Sequence, residues 1–414
     1  MNTFFKKLFH GDTTIWIVFF ALCIGSVLIM FSASSVEAYK AANYSAPMLK
    51  HAGYLAFGIL LAYGIHFIPY QIIRVLAYLG LIAAFVLLIL TPFIGIRINE
   101  ATRWIDLFGI VRFQPSEIAK LSLIIAVAAF MSRIKDNDPE SEKTWFRRIM
   151  IISGGICLLI FIDNASTAIL LFGVVFTMMF IGRISPKRLG IIALTGLLVC
   201  ASVYGIGKIN TSIFGSAMQN RTVTFANRID RFFVGDDNAE KFVMNDTNRQ
   251  IQNSKIAIAR GGATPFGVGV GRSIQRDYLP LAFSDFIYAI VVEEGGLIIG
   301  ILLILLYLIL LFRAGRIATK CNAVFPALLV FGLSLMIVMQ AFVSMAVAAG
   351  LGPVTGQPLP LISKGGTSIV ITSIYFGIIL GITKQIKENQ QKQAEGTMEE
   401  IPVVDVEEIE KYEN

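Results

Sequence analysis

The sequence predicts an all-α, polytopic membrane protein of about ten transmembrane helices, with both termini on the cytoplasmic side. Three observations predict it. The 414 residues are 55% hydrophobic and only 15% charged, with mean hydropathy +0.71, whereas soluble domains carry about 25% charged residues. Apolar runs close to the roughly 20 residues that span a bilayer recur along the whole chain. Basic residues are shared unevenly between alternate loops.

The runs fall at residues 13–31, 51–69, 74–92, 116–134, 149–162, 165–181, 189–206, 286–312, 324–350 and 368–382. The first is long and further spans follow it, so it reads as an uncleaved anchor and not a signal peptide. The fifth is short enough to need tilt or local bilayer thinning. One side carries Lys6, Lys7, Arg74, Arg133, Lys135, Lys143, Arg147, Arg148, Arg183, Lys187, Arg188, Arg313, Arg316, Lys320, Lys384 and Lys387. The opposite short loops carry only Lys40, Lys50, Arg97, Arg103 and Arg112. The positive-inside rule places both ends in the cytoplasm, and the net charge of +7 becomes a topology signal that needs no nucleic-acid partner. Cys23, Cys157, Cys200 and Cys321 lack metal-ligand or disulfide spacing and read as structural.

Between the runs lie two external segments. Residues 95–114 make a moderate loop whose RWIDLFGIVRF suits an interfacial anchor. Residues 209–284 make a far larger one, and loops of that length without a role are uncommon. Its ANRIDRFF and NDTNRQIQNSKIAIARGG permit short amphipathic helices on the membrane surface. GVGVGR, at 267–272, looks like a nucleotide loop but lacks the GK-Ser/Thr ending and a preceding strand. The chain thus divides into a membrane domain, 1–384, and a cytoplasmic tail, 385–414. The tail turns acidic near Glu399 and reads as solvated and disordered.

The stretch GLGPVTGQPLPLISKGGTS, at 350–368, holds three prolines and five glycines and cannot be a membrane helix. Non-helical backbone beside a bilayer survives only where protein buries it or it lines a water-filled cavity. A plain turn needs only about 2 to 8 residues. A longer, stiffer one is shaping a site.

Ionisable groups at membrane depth are costly and so become candidates. Glu117 and Lys120 face one another at i, i+3 on the helix opened by Pro115, and read as a buried pair orienting a site. Asn164 or Ser166 caps the helix after Asp163. Glu293 and Glu294 call for arginine or lysine partners from neighbouring segments. Asp285 follows YLPLAFS and opens an apolar run. It is either an N-cap or, with Ser284 taking that role, a carboxylate free to act as general base on a bilayer-held substrate. Arg103, Arg112, Arg228, Arg231 and Arg272 could meet a phosphorylated lipid, or simply anionic headgroups.

Together these segments resemble the SEDS family, the FtsW and RodA proteins of bacterial shape and division. RWI…FQPSEIAK resembles the family's RRWI…QPSE…K, and GGATPFGVGVGRS…YLPLAFSDFIYAIVVEEGG resembles GG…G.G.G.S…YLP.A.TDFIF…EE.G. The proline- and glycine-rich stretch resembles GLLPVTG.PLPF.S.GGSS. Departures fall at Phe283, where the family has His, and at Asn164, where it has Asp. Ser344 stands for a frequent Asn, and Lys364 for a Tyr or other aromatic.

The resemblance implies peptidoglycan glycosyltransfer at the outer face of the bacterial inner membrane. Asp285 would be the catalytic base, with Arg103, Glu117, Lys120, Arg228, Arg272, Thr355 and Ser363 around two lipid II molecules. Positive charge for the departing pyrophosphate would come from arginines such as Arg103 or from a divalent cation, magnesium or manganese. Implied partners are a class B penicillin-binding protein and other divisome membrane proteins, the acidic tail favouring the division branch over the RodA-like elongation enzyme. Two other functions stand beside it: a lipid II flippase, which predicts ionisable residues at several depths, and a non-catalytic scaffold, which would tolerate loss of Asp285.

Overall fold

Every apolar run becomes a helix, and what lies between the runs decides how the helices are tied together. The structure, a computed structural model, describes residues 10–33, 46–98, 101–107, 111–135, 137–214, 222–223, 226, 230, 249–279 and 283–399. The helices from the predicted runs are α1 (Thr13–Ala33), α2 (Ala46–Ile65), α3 (Tyr70–Ile94), α4 (Pro115–Met131), α5 (Pro139–Asp163), α6 (Ala165–Ile181) and α7 (Pro186–Phe214). Two further helices, α8 (Arg249–Gly262) and the short α9 (Gln275–Tyr278), come from the large external segment. Three long helices complete the order: α10 (Ile287–Ala318), α11 (Val324–Ala348) and α12 (Gly366–Glu399). Among the described residues eight helices are long and apolar enough to cross a membrane by length and composition, whereas α4 and α6 have 17 residues each. The protein is a multi-pass membrane protein.

Burial separates the centre from the rim. The most apolar stretches of α11 and α12 are 78% and 72% buried, against 11–44% for the other long spans, which turn their side chains to lipid. In α4 every residue but Ile118 and Leu121 is buried. Helices apolar on all sides belong inside, and α4, α11 and α12 pack on one another there.

Four local findings differ from the sequence reading. First, α5 begins at Pro139, ten residues before the predicted run, because Asp138 caps it by accepting from the N–H groups of Glu140 and Ser141. Its 25 residues remove the need for a thinned bilayer. Second, the loop before α4 is a small antiparallel sheet, β1 (Ile96–Ile98), β2 (Ala101–Leu107) and β3 (Val111–Phe113). Branched and aromatic residues alternate there, and Asp106 sits opposite Arg112, paired at 3.2 Å.

Third, α8 packs on α10, a partner the sequence does not name. Its buried face is small and polar (Asn253, Ala257, Gly261), and a methyl on Gly261 would lie 1.9 Å from the Val292 carbonyl. Fourth, α12 continues as helix to Glu399, well beyond the predicted 382. Residues 400–414, with most of the acidic tail, lie outside the described residues.

Candidate active site

The segment between α11 and α12 is irregular from Gly350 to Gly365, and its carbonyls are met by side chains from the surrounding helices. Gln340 of α11 donates to the Pro358 carbonyl at 3.0 Å, Tyr307 of α10 to Pro360 at 2.6 Å and Ser26 of α1 to Leu361 at 2.6 Å. His51 of α2 bonds Ser26 at 2.7 Å, and Gln357 donates to Thr167 of α6 at 2.5 Å. Unmet carbonyls at this depth cost several kcal/mol each, and these partners remove that cost. Leu361 sits at φ +64 with 1% exposure, a backbone conformation a leucine holds only under surrounding constraint.

One of these braces begins at the predicted pair. Lys120 donates to Glu117 at 2.6 Å and to Gln340 Oε1 at 3.1 Å. Glu117 and Lys120 are 7% and 1% exposed. The charges are therefore joined through Gln340 to the Pro358 carbonyl, which makes them supports of the irregular segment.

Asp285 is half-buried in the turn of residues 283–286, immediately before α10. That turn is fastened to the irregular segment twice. Ser363 donates to the Ser284 carbonyl at 2.6 Å, and the Lys364 N–H to the Phe283 carbonyl at 2.9 Å. Gly356, at φ +65, faces the carboxylate so closely that a methyl there would lie 3.6 Å from Asp285 Oδ2. Next to it, the Thr355 hydroxyl is buried without a hydrogen-bond partner. The expected cap is absent: α10 has no side-chain N-cap bond, and Ser284 Oγ donates instead to Asp285 Oδ1 at 2.9 Å. Asp285, Gly356, Thr355 and Ser363 thus converge, with Glu117 and Lys120 one layer behind.

The glycine loop is explained by the helix beneath it. Gly296 breaks α10 at φ +73, which frees the carbonyls of Glu293 and Glu294. Val268 and Gly269 donate to them at 2.9 and 3.0 Å, and Ile298 N–H reaches back to the Pro265 carbonyl at 3.5 Å. A side chain at Gly267 would fall 2.5 Å from Gly296 N, so 267–272 is a backbone splice onto the break in α10. The carboxylates pair as expected. Glu293 takes Arg260 at 2.9 Å and the Ser273 hydroxyl, and Glu294 takes the Ser32 hydroxyl and lies 3.9 Å from Arg276.

The remaining candidates lie elsewhere. Arg103, on β2, donates through Nε to the Asp163 carbonyl at 3.0 Å, at the edge of a cleft shared with Gln114, Ser116 and Asn164. Asn164 caps α6 by accepting from Thr167 N–H at 3.4 Å. Arg272 lies at the end of the glycine loop, Arg112 pairs with Asp106, and Arg228 and Arg231 lie outside the described residues. Sequence reasoning missed Ser26, His51 and Tyr307 as carbonyl partners. Each is a polar group in an apolar run, which was the available signal.

Fold and site define a polytopic membrane protein that holds a carboxylate beside irregular, protein-buried backbone at one end of its bundle. The chain belongs to the FtsW/RodA/SpoVE family of cell cycle proteins, whose model matches residues 12–388. It is 37% identical over 307 residues to the probable peptidoglycan glycosyltransferase FtsW of Haemophilus influenzae, covering 72% of this chain and 71% of that one. It is 30% identical over 399 residues to the peptidoglycan glycosyltransferase MrdB of Escherichia coli, covering 92% and 95%. The fold matches a solved structure described as the structural coordination of polymerization and crosslinking by a peptidoglycan synthase complex. That match has a TM-score of 0.70 and 23% identity, over 91% of this chain and 98% of the other. It also matches the rod shape determining protein RodA of Thermus thermophilus, with a TM-score of 0.62 and 21% identity over 91% and 97%.

Proposed function

We propose that the chain is a peptidoglycan glycosyltransferase of septal wall synthesis, with lipid II as substrate and Asp285 as general base. Membership of a family whose similar members are named peptidoglycan glycosyltransferases, FtsW prominent among them, supports the activity and the division role. The observation that carries the site is the fastening of the Asp285 turn to the braced irregular segment, with Gly356 against the carboxylate. A base held in place by rigid neighbours is what proton abstraction in a displacement requires.

The step balances with one carboxylate. Asp285 takes the proton from the 4-hydroxyl of the acceptor's GlcNAc, and that oxygen attacks the anomeric carbon of the donor's MurNAc. The bond from that carbon to the pyrophosphate breaks, undecaprenyl pyrophosphate leaves with the electron pair, and the α-linkage becomes β. The leaving group needs no proton but does need positive charge. Lys364, whose backbone is bonded to the Asp285 turn, is well placed in the chain to supply it, and Arg103, Arg228 and Arg272 are further candidates. Thr355 and Ser363 would contact the sugars. Among the described residues no three His, Cys, Asp or Glu side chains cluster to hold a metal ion. No step here is routed through a divalent cation.

The same reading puts the protein in the bacterial inner membrane with Asp285 facing the periplasm. It gives the chain a crosslinking partner, a class B penicillin-binding protein, among other divisome membrane proteins. The test is polymerisation of purified lipid II, with and without that partner. Glycan strands from the wild type and none from Asp285→Asn support the reading. Transfer of lipid II across a vesicle membrane without polymer would replace it with the flippase.

A further inference from the structure

The basic loops leave a second feature at the other end of the bundle. α10 has 32 residues, so its far end lies roughly 45 Å from the Asp285 turn. There the last turns of α10, the start of α1 and the middle of α12 enclose a cavity of about 400 Å³. Its charged lining is Asp12, Arg313, Arg316, Lys320 and Lys387. Among the described residues that line it, four cations stand against one carboxylate.

That one carboxylate is fully occupied. Asp12 Oδ2 accepts from Arg313 Nη2 at 2.7 Å and Nε at 2.9 Å, while Oδ1 accepts the Thr14 and Ile15 N–H groups that open α1. Burial alone would raise the Asp12 carboxyl, but the Arg313 guanidinium, the Ile15 N–H and the Lys387 charge together keep the group below the usual carboxylate range. Asp12 N–H donates to Thr383 at 3.0 Å, and Lys387 donates to the Gly11 carbonyl. The wall is thus pinned together by Asp12. Among the described residues no acid pairs with Arg316 or Lys320.

The surface leading away from the cavity identifies what completes it. Leu305, Ile309 and Phe312 are exposed at 46%, 42% and 75%, and with Arg316 they follow a spacing of 4, 3 and 4 residues along α10. This is one helical stripe, apolar along its length and ending in a guanidinium, with Lys320 one turn further. Ile317 and Ile386 floor the cavity. A free phosphate would use the cations and leave the stripe idle. A molecule with an anionic head and an acyl chain uses both.

We propose that this cavity is a binding site for an anionic phospholipid, its phosphodiester held by Arg316 and Lys320 and its chain laid along Leu305, Ile309 and Phe312. Arg gives a forked contact to a phosphate and Lys a point charge, and basic pockets between spans are suited to such headgroups.

The test uses the full chain in detergent, with bound lipid read by native mass spectrometry and stability by thermal unfolding. Phosphatidylglycerol should be retained in preference to phosphatidylcholine. The double change R316Q/K320Q should reduce that retention roughly tenfold to thirtyfold, as the loss of two headgroup cations implies. The exchange R316K/K320R should keep it, which separates charge from disturbance of the fold. Equal retention by wild type and R316Q/K320Q would overturn the site. Protection by inorganic phosphate as strong as by phosphatidylglycerol would overturn its assignment to a lipid.

Discussion

The ammonium of Lys364 lies 4.7 Å from the ring centroid of Phe283, and the backbone N–H of the same lysine donates to the carbonyl of the same phenylalanine at 2.9 Å. These are two of the positions at which the chain departs from the motifs it otherwise resembles. The departures are partners: an aromatic face two residues before Asp285, and a cation over it.

A coupled pair should behave non-additively. A cation over an aromatic ring contributes about 0.5 to 2 kcal/mol, so Phe283→His and Lys364→Tyr should each lower stability and polymerisation. The double variant should recover much of the stability, while polymerisation stays low for want of the Lys364 charge. A thermodynamic cycle from thermal unfolding of the four proteins checks this, and additive losses would show the two positions to be independent.

For Asp285, replacement by Asn keeps size and polarity and removes the base. Polymerisation should fall by about 10² to 10⁴, with the unfolding temperature and partner binding preserved. Ser284→Ala, which removes the 2.9 Å bond to Oδ1, should cost far less, since that hydroxyl orients the carboxylate and takes no proton. An Asp285→Asn protein that polymerises lipid II near the wild-type rate would exclude general-base catalysis there.

The buried pair predicts an asymmetry. Glu117→Gln alone strands the Lys120 ammonium at 1% exposure and should cost about 3 to 5 kcal/mol. Glu117→Gln with Lys120→Met should recover most of the stability. Gln340 then loses its partner and holds the Pro358 carbonyl less firmly, so partial activity should return with the fold. A double variant as stable as wild type yet wholly inactive would give one of the pair a direct contact with substrate.

Gly356→Ala tests the close approach. The added methyl has ordinary contact distance to Asp285 Oδ2 at 3.6 Å, but the backbone is at φ +65, where a Cβ costs about 1 to 2 kcal/mol. Stability should fall by about that amount. Polymerisation should fall further, because the methyl occupies space in front of the carboxylate. Loss of activity no greater than the loss of folded protein would place the substrate elsewhere.

The orientation can be read chemically. In a cysteine-free background, the thiol of a Thr264→Cys variant should react with an impermeant reagent added to intact spheroplasts, and that of Lys143→Cys should not. The reverse pattern would put the Asp285 turn on the cytoplasmic side.

Much of this was legible in the sequence because membranes make composition informative. The helical runs, the irregular stretch at 350–368, the Glu117–Lys120 pair and the Asn164 cap all follow from what hydrocarbon excludes or what an open helix end demands. What could not be read is long-range. Gln340 meets Pro358, Tyr307 meets Pro360 and Ser26 meets Leu361 only because α1, α10 and α11 surround one segment. Nothing local to a lone serine, tyrosine or glutamine in an apolar run says which carbonyl it will find. The start of α5 was misjudged because charge at its first turns hid a helix that Asp138 caps, and the β1–β3 sheet because its strands are too short to stand out.

The break at Gly296 has a mechanical meaning. Above it, α10 is only about two and a half turns long and begins at the Asp285 turn, while its freed carbonyls are clamped by the loop at 265–269. The loop holds both sides of the break, the Glu293 and Glu294 carbonyls above it and the Ile298 N–H below it, so the short helical piece that carries the Asp285 turn is splinted from outside the membrane span.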